Sequence, residues 1–244
     1  QWISTIKEAE PGSLTEEEQS WLADHGKMRL GIASTWAPFE FFDANGVFSG
    51  VSSDYVRILT KWLGVTLTPQ EGLTWAEVLE KARNKEIDVI SAIVQTPERS
   101  EYLHFTKPYI SLPMMVVTRE DSPYIQGIKD LKDKTIAVVR EYVTQGYLEE
   151  DHPDQKLLLL DSLEEVLTAV SEGRADALVE NMAVVGFVSK KLGITNLRAA
   201  AATPYFFELS YGVRKDWPEL MPILEKALAA FSDQEKGLIL DKWL

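Results

Sequence analysis

Arg99 is the residue of this chain best placed to do chemistry, because it follows an apolar run and a helix-start signal. Residues 87–93 are rich in β-branched side chains and predict a buried strand. Thr96 supplies an N-cap hydroxyl, and Pro97 occupies a position where its missing N–H costs nothing. A guanidinium beside free helix N–H groups forms an anion site that suits a carboxylate. The alternative is a surface ion pair between Arg99 and a neighbouring acid.

The sequence contains no pattern that indicates a catalytic, metal or nucleotide site. The three histidines, His25, His104 and His152, lack the spacing of metal ligands. The absence of cysteine excludes disulfides, thiolate nucleophiles and cysteine metal sites. No nucleophile elbow, P-loop or dinucleotide fingerprint occurs. We therefore expect a binding module without cofactor or metal, and not an enzyme.

The overall charge narrows the class of ligand. The 244 residues include 25 basic and 38 acidic side chains, which gives a net charge of -13. This charge argues against a nucleic-acid partner, because phosphate attraction requires the opposite sign. A local arginine can still bind a small anion. The chain has no apolar run long enough to cross a bilayer, and it begins at Gln1 without a signal core, so we expect a segment of a longer protein.

The elements that must position Arg99 alternate between strand and helix, which predicts an α/β fold. The predicted strands are 28–33, 65–69, 87–93, 135–139, 157–160 and 175–180. The predicted helices are 53–63, 75–85, 182–192, 219–231 and 233–243. Residues 39–50 predict a hairpin with a type I′ turn at Asn45-Gly46, and a capping box from Ser13 to Glu16 predicts an N-terminal helix.

A short pattern occurs twice along the chain. Glu-Val-Leu at 77–79 and Asp88 recur as Glu-Val-Leu at 165–167 and Asp176, at a constant offset of 88 residues. Each copy predicts an amphipathic helix that leads into a strand. Four identities could arise by chance, but two similar α/β units would also produce them.

Five motifs occur in a fixed order along the chain. They are Trp36-Ala37-Pro38-Phe39-Glu40-Phe41, residues 50–63, Thr96-x-x-Arg99, Phe105-x-x-Pro108-Tyr109 and Gly173-Arg174-Ala175-Asp176-Ala177. Together they resemble the type 2 periplasmic solute-binding proteins, the family of bacterial amino-acid-binding receptors, over residues 28–244. The resemblance implies a two-lobed Venus-flytrap fold with hinge crossings near 113–118 and 209–213. Lobe 1 would comprise residues 27–113 and 213–244, and lobe 2 residues 114–212, after an N-terminal helical extension at 1–26.

The resemblance also implies a ligand cleft between the lobes. Trp36 and Trp75 match the aromatic positions that enclose the ligand side chain, although core packing would also explain them. Arg99 would hold the ligand carboxylate. Ala92 and Val94 stand where the family usually has glycine and threonine, so the threonine hydroxyl that shares the carboxylate is missing.

Two further positions depart from the pattern of amino-acid receptors. Asn181 replaces the aspartate that holds a ligand ammonium, which favours carboxylates without an ammonium group. Glu180 could compensate, but strand alternation predicts that it faces away from Asn181. Arg140 could supply the basic group of lobe 2. The alternatives are a helix N-cap for Asn181 and a solvated loop charge for Arg140.

Residues 191–197, 214–218 and 241–244 resemble the sensor domains of membrane-bound histidine kinases and cyclic-dinucleotide signalling proteins. The resemblance implies an extracytoplasmic sensor domain that binds a small carboxylate or amino-acid-like solute and signals by lobe closure. It implies tethering to a membrane span outside this segment, and it leaves open a homodimer of the full-length protein. The alternatives are a free solute-binding protein of an amino-acid ABC transporter and an enzyme resembling cyclic-carboxylate dehydratases.

Overall fold

The computed structural model describes residues 14–244, which form a mixed α/β fold around a nine-stranded sheet. The strands are Lys27–Gly31 (β1), Thr35–Trp36 (β2), Glu40–Phe42 (β3), Phe48–Ser49 (β4), Thr66–Pro69 (β5), Val89–Val94 (β6), Leu103–Phe105 (β7), Ile110–Arg119 (β8), Thr135–Val139 (β9), Lys156–Leu160 (β10), Ala177–Glu180 (β11) and Leu197–Arg214 (β12). The helices are Glu16–Asp24 (α1), Val51–Leu63 (α2), Trp75–Arg83 (α3), Val143–Asp151 (α4), Leu163–Ser171 (α5), Met182–Leu192 (α6), Leu220–Ala229 (α7) and Asp233–Trp243 (α8).

The sheet has two parallel wings on either side of a central antiparallel pair. Its strand order is β10-β9-β11-β8-β12-β6-β1-β5, with β7 paired to β12. The first wing is β5, β1 and β6, and the second wing is β10, β9 and β11. The long strands β8 and β12 run between them and pair with each other. The chain therefore crosses from wing to wing along two paired strands, which is stiffer than a flexible linker.

The repeated sequence pattern has the same backbone geometry in both wings. The backbone N–H of Arg29 in β1 donates to the Asp88 carboxylate at 2.8 Å, and the N–H of Asp88 returns a bond to the Arg29 carbonyl at 3.0 Å. In the second wing, Thr135 and Asp176 exchange the same two bonds, both at 2.8 Å. Each aspartate thus lies at the start of the parallel ladder between the two strands.

The capping box that begins α1 was predicted two residues too early. The box is formed by Thr15 and Glu18: the Thr15 hydroxyl accepts from the N–H of Glu18, and the Glu18 carboxylate accepts from the N–H of Thr15. Ser13 lies outside the described residues. Ser13 and Thr15 each have a glutamate three residues later, Glu16 and Glu18, so the spacing of the box alone does not decide between the two positions.

The predicted type I′ turn at Asn45-Gly46 is wrong. Such a turn needs positive φ at both residues, but only Gly46 of the two has it, at +74°. The carboxylate of Asp43 accepts from the N–H groups of Asn45 and Val47 at 2.8 and 2.9 Å. This side chain organises a longer loop between β3 and β4, and the antiparallel hairpin itself is present.

The last two helices pack against the first wing. Phe231, between α7 and α8, lies against Tyr55 and Trp62 of α2 at ring-centroid distances of 4.8 and 4.9 Å. Helix α7 also contacts the N-terminal helix, because Lys226 of α7 binds Glu18 of α1 at 2.7 Å. Across residues 14–244, none of the helices combines the length and apolar character needed to cross a membrane.

Candidate ligand-binding cleft

A narrow cavity of about 30 Å³ lies where the carboxyl ends of β1 and β6 face the segment that follows β9. Its lining is Ala33, Trp36, Trp75, Ala92, Ile93, Val94, Arg99, Tyr142, Val143, Phe207 and Leu209. Five predicted site residues are therefore brought together: Trp36, Trp75, Ala92, Val94 and Arg99. Ligand sites commonly measure about 300–1,000 Å³, so this cavity has room for little more than a water molecule. An amino-acid-sized ligand requires the two sides to separate.

Arg99 is buried and its side chain bridges the two sides of the cavity. Its Nη1 donates to the carbonyl of Val94 in β6 at 2.8 Å, and its Nη2 donates to the carbonyl of Glu141 after β9 at 2.6 Å. Within residues 14–244 no carboxylate forms an ion pair with it, so the alternative of a surface ion pair is wrong. Burial lowers the pKa of the guanidinium. A buried cation with neutral partners is a strong binding site for an anion, which accepts its N–H bonds.

The local structure around Arg99 is shorter than the sequence predicts. The predicted helix is a single 3₁₀ turn, Arg99–Glu101, and the Thr96 hydroxyl accepts from the N–H of Arg99 at 3.2 Å. The capping chemistry of Thr96 is therefore present, but a full helix is not. The anion site depends on the guanidinium and not on a helix dipole.

Glu141 contributes a backbone carbonyl that the sequence did not indicate. This carbonyl accepts from both Arg99 and the indole N–H of Trp75, the latter at 3.1 Å. The φ of Glu141 is +64°, a left-handed conformation that costs a residue with a side chain roughly 1–2 kcal/mol. The N–H of Glu141 donates to the side chain of Gln145 at 2.9 Å, which helps to hold this conformation.

Trp36 is packed on both sides and also reaches across the cleft. Its ring stacks on Phe39 at 4.8 Å and meets the edge of Phe207 at 5.1 Å. Its indole N–H donates to Glu180 of β11 at 3.3 Å. Trp36 and Trp75 are thus both core residues and walls of the cavity, and both hydrogen-bond to the side that carries the second wing.

The loop that carries Trp36 is anchored by the start of α2. The N–H groups of Val51 and Ser52 donate to the carbonyls of Pro38 and Phe39, both at 3.0 Å. Gly50 has a φ of +112°, and a Cβ there would lie 2.4 Å from the carbonyl oxygen of Phe39. Only glycine allows this close approach of helix and loop.

Arg140 and Asn181 do not line the cavity. Arg140 is half-exposed and pairs with Asp161 at 3.2 Å, as expected for a solvated loop charge. Asn181 is the N-cap of α6: its Oδ1 accepts from the N–H of Ala183 at 3.0 Å, and its Nδ2 donates to the carbonyl of Pro113 at 3.0 Å. The structure thus confirms the alternative interpretation of Asn181 as a helix cap.

Two carboxyl groups are buried close to the cleft, and the sequence analysis missed the first. Glu40 accepts from the N–H of Ala33 at 2.7 Å and from the hydroxyl of Ser91, and burial raises its pKa to about 7. Glu180 accepts from Trp36 and from the N–H of Asn181 at 2.8 Å, and burial raises its pKa to about 8. The sequence signal for the burial of Glu40 is its position between Phe39 and Phe41 in the predicted hairpin.

Residues 28–244 match the protein family described as "Bacterial extracellular solute-binding proteins, family 3". The chain belongs to this family. Virulence sensor protein BvgS of Bordetella pertussis (strain Tohama I) is 29% identical over 227 residues, which cover 93% of this chain and 18% of that protein. The crystal structure of the B. pertussis BvgS periplasmic VFT2 domain matches with a TM-score of 0.84 at 28% identity, covering 95% of this chain and 99% of that one. ABC transporter arginine-binding protein 1 of Escherichia coli (strain K12) is 28% identical over 222 residues, with 89% of this chain and 90% of that protein covered.

These similarities establish the two-lobed Venus-flytrap fold of the α/β class. The cavity lies between the ends of β1 and β6 in the first wing and the segment that follows β9 in the second wing. The chain spans only 18% of the length of BvgS, whereas it matches almost all of the free arginine-binding protein.

Proposed function

We propose that this chain is an extracytoplasmic sensor domain that binds a small carboxylate between its lobes and signals through their relative position. The observation that supports this most directly is the environment of Arg99. The residue is only 6% exposed, lies in an otherwise apolar cavity and binds neutral carbonyls through its guanidinium. A carboxylate is the ligand that this geometry accommodates best, because it can accept two parallel N–H bonds.

Binding would exchange one partner of Arg99 for another. When the lobes separate, the Glu141 carbonyl withdraws and Arg99 can accept a ligand carboxylate in its place. Trp36 and Trp75 would then form the walls around the ligand, with Ala92 and Val94 at the floor. A ligand contact from Arg140 or Asn181 stays a prediction, and the present contacts of both side chains do not support it.

We propose the lobe boundaries 27–113 with 213–244 for lobe 1 and 114–212 for lobe 2. These boundaries fall within β8 and β12, the two strands that run between the wings. The proposed extension is residues 1–26, of which 1–13 lie outside the described residues; α1 packs on lobe 1 through Trp21 and Trp217, at a centroid distance of 5.4 Å. The hinge would then be a pair of neighbouring strands.

The absence of acidic groups in the cavity favours carboxylates without an ammonium group. No Asp or Glu belongs to the cavity lining in the described part of the chain. A buried ammonium without a carboxylate partner is costly, so α-amino acids should bind more weakly than their analogues without nitrogen. Glu180 lies nearby, but its carboxyl is already bound to Trp36 and has a raised pKa.

Two roles fit this fold: the sensor domain of a membrane-anchored protein, and a free solute-binding protein that serves a transporter. The coding sequence that follows this segment distinguishes them. BvgS is a virulence sensor protein and the E. coli relative is an ABC transporter arginine-binding protein, so the similarities support both roles. We favour the sensor because of the match to the BvgS periplasmic VFT2 domain. The full-length coding sequence decides between them: an apolar run of about 20 residues after this segment supports the sensor, and a stop codon beside permease genes supports the transporter.

The catalytic alternative has less support. Related dehydratases carry a glutamate just after the position of Asn181, where this chain has Val184 and Val185, both buried in α6. Among residues 14–244, the cavity lining contains no Asp or Glu that could serve as the carboxylic acid of such an enzyme. We therefore propose a binding function and no catalysis.

Calorimetry on two arginine variants tests the carboxylate site. A thermal-shift screen of small carboxylates, each with its α-amino analogue, would first identify a ligand. We expect Arg99→Ala to weaken its binding by about 2–5 kcal/mol, because a charge-assisted pair is lost. Arg140→Ala serves as the matched control and should bind within threefold of the unmodified domain. An affinity within threefold for Arg99→Ala as well would refute the assignment.

A further inference from the structure

We infer that Phe41 couples the position of lobe 2 to the end of the C-terminal helix α8. Phe41 lies on β3, in the hairpin of lobe 1. Its ring centroid is 5.5 Å from that of Phe187 in α6 of lobe 2, and 5.9 Å from that of Trp243 in α8. One side chain therefore contacts the opposite lobe and the last turn of the chain at the same time. We call these three residues the aromatic latch.

The α8 side of the latch is firmly fixed. The indole N–H of Trp243 donates to Asp54 at 2.7 Å, and Lys242 binds the same carboxylate at 2.7 Å. The side chain of Asp54 is 1% exposed and lies in the first turn of α2. The last turn of α8 cannot leave without removing partners from a buried carboxylate, which is strongly unfavourable.

The lobe 2 side of the latch can separate. Phe187 is 39% exposed at the edge of a surface groove between the hairpin and α6. Its contact with Phe41 is made by side chains from opposite lobes, outside the cavity that contains Arg99. Separation of the lobes would remove Phe187 from Phe41 and leave Phe41 free to move relative to Trp243. Lobe position and the packing of α8 would then be linked in both directions.

The inference rests on the lobe movement of the proposed function but not on the identity of a ligand. Aromatic pairs of this kind change an equilibrium by about 2- to 12-fold. In the domain without added ligand, Phe187→Ala should therefore accelerate amide hydrogen exchange in residues 238–244 by about that factor. Exchange in α7 and in β9 should not change, because neither belongs to the latch.

Leu192→Ala is the matched control, because Leu192 lies on the same helix and has the same exposed fraction, 39%. It should leave the exchange of α8 unchanged. Trp243→Ala, which removes the latch residue on α8 itself, should accelerate that exchange and so shows that the measurement is sensitive. If Trp243→Ala accelerates exchange in α8 while Phe187→Ala and Leu192→Ala behave alike, the coupling does not exist.

A reciprocal measurement separates coupling from simple loosening of α8. Spin labels at Glu71→Cys and Glu150→Cys, one on each lobe, report the distance between lobes without interference from native cysteines. Trp243→Ala should shift the distance distribution toward longer values, and Leu192→Ala should not. An unchanged distribution in Trp243→Ala, together with faster exchange in α8 alone, would overturn the inference. A failed ligand screen would not affect either result.

Discussion

The two wings of the sheet share a backbone design but differ in how much charge surrounds it. Asp88 and Asp176 occupy equivalent places and exchange the same pair of backbone bonds with the neighbouring strand. Asp88 also accepts from the side chains of Arg29 and Arg214, at 2.7 and 2.9 Å. Asp176 bonds to the backbone of Thr135. The pair of backbone bonds common to both aspartates holds the parallel strands together. The arginine contacts of Asp88 are an addition in the first wing.

The added charges connect the first wing to the C-terminal part of the chain. Arg214, at the end of β12, binds Asp216 at 2.8 Å and lies over the ring of Trp217 at 4.7 Å. Burial alone would raise the pKa of Asp88, but its bonds to Arg29 and Arg214 together outweigh burial and hold that pKa below its usual value. These contacts hold the segment between β12 and α7 against the first wing.

The largest expected effect concerns the buried carboxyl groups, Glu40 in lobe 1 and Glu180 in lobe 2. Their pKa values are raised to about 7 and about 8, so the folded state keeps protons that the unfolded state releases above pH 4.5. The stability from these groups is therefore complete at low pH and is lost as pH rises through the folded pKa values. Each group should lower the free energy of unfolding by up to about 1.4 kcal/mol per pH unit.

Thermal unfolding between pH 5 and 8.5 measures this effect and separates the two lobes. Glu40→Gln should remove the part of the decrease in unfolding free energy with pH that ends near pH 7. Glu180→Gln should remove the part that continues to about pH 8. The same slope in both variants and in the unmodified domain would contradict the assignment of the titrating groups.

The next effect compares the two aspartates directly. Asp88→Ala leaves Arg29 and Arg214 without their shared carboxylate and should lower the free energy of unfolding by about 3 kcal/mol. Asp176→Ala removes one acceptor of a backbone N–H and should cost about 1–2 kcal/mol. Urea unfolding of both variants gives the comparison. Equal losses would mean that the charges around Asp88 add nothing to the shared backbone design.

The smallest effect compares the helices that precede the two aspartates. Thr74 caps α3 in a complete capping box with Glu77, while Ser162 caps α5 and the carboxylate of Glu165 reaches Asp161 instead. Thr74→Ala and Ser162→Ala should each cost about 1 kcal/mol, with Thr74→Ala the more severe by a few tenths. Urea unfolding checks the order, and a larger loss for Ser162→Ala would reverse the comparison.

Much of the fold follows from local signals in the sequence. The structure has β9 at Thr135–Val139 and α8 at Asp233–Trp243, with the predicted bounds, because an apolar strand and a capped helix are defined by their own residues. The hairpin turn was mispredicted because the side chain of Asp43 competes with the backbone preference of Asn45-Gly46. A local propensity decides a turn only where no neighbouring side chain offers another set of bonds.

The candidate cleft was only partly predictable. The motif around Arg99 indicates a cation at the end of β6, and the family resemblance places Trp36 and Trp75 beside it. The partner across the cleft is a backbone carbonyl of Glu141, whose position depends on a positive φ and on the approach of the second lobe. The residue types of the sequence indicate neither the positive φ nor the approach of the second lobe. The neighbouring Arg140 was predicted as a site residue instead, because its charge can be read from the sequence.

The carbonyl of Glu141 sets a concentration threshold for any ligand that uses Arg99. Such a ligand competes with a group of the same chain, which is always present and cannot diffuse away. If one molecule in about a hundred is open, the half-saturating ligand concentration rises about 100-fold above the intrinsic dissociation constant. Trace solutes would then leave the domain unoccupied, and a substitution at Glu141, whose side chain is not part of the cavity lining, would retune its response range.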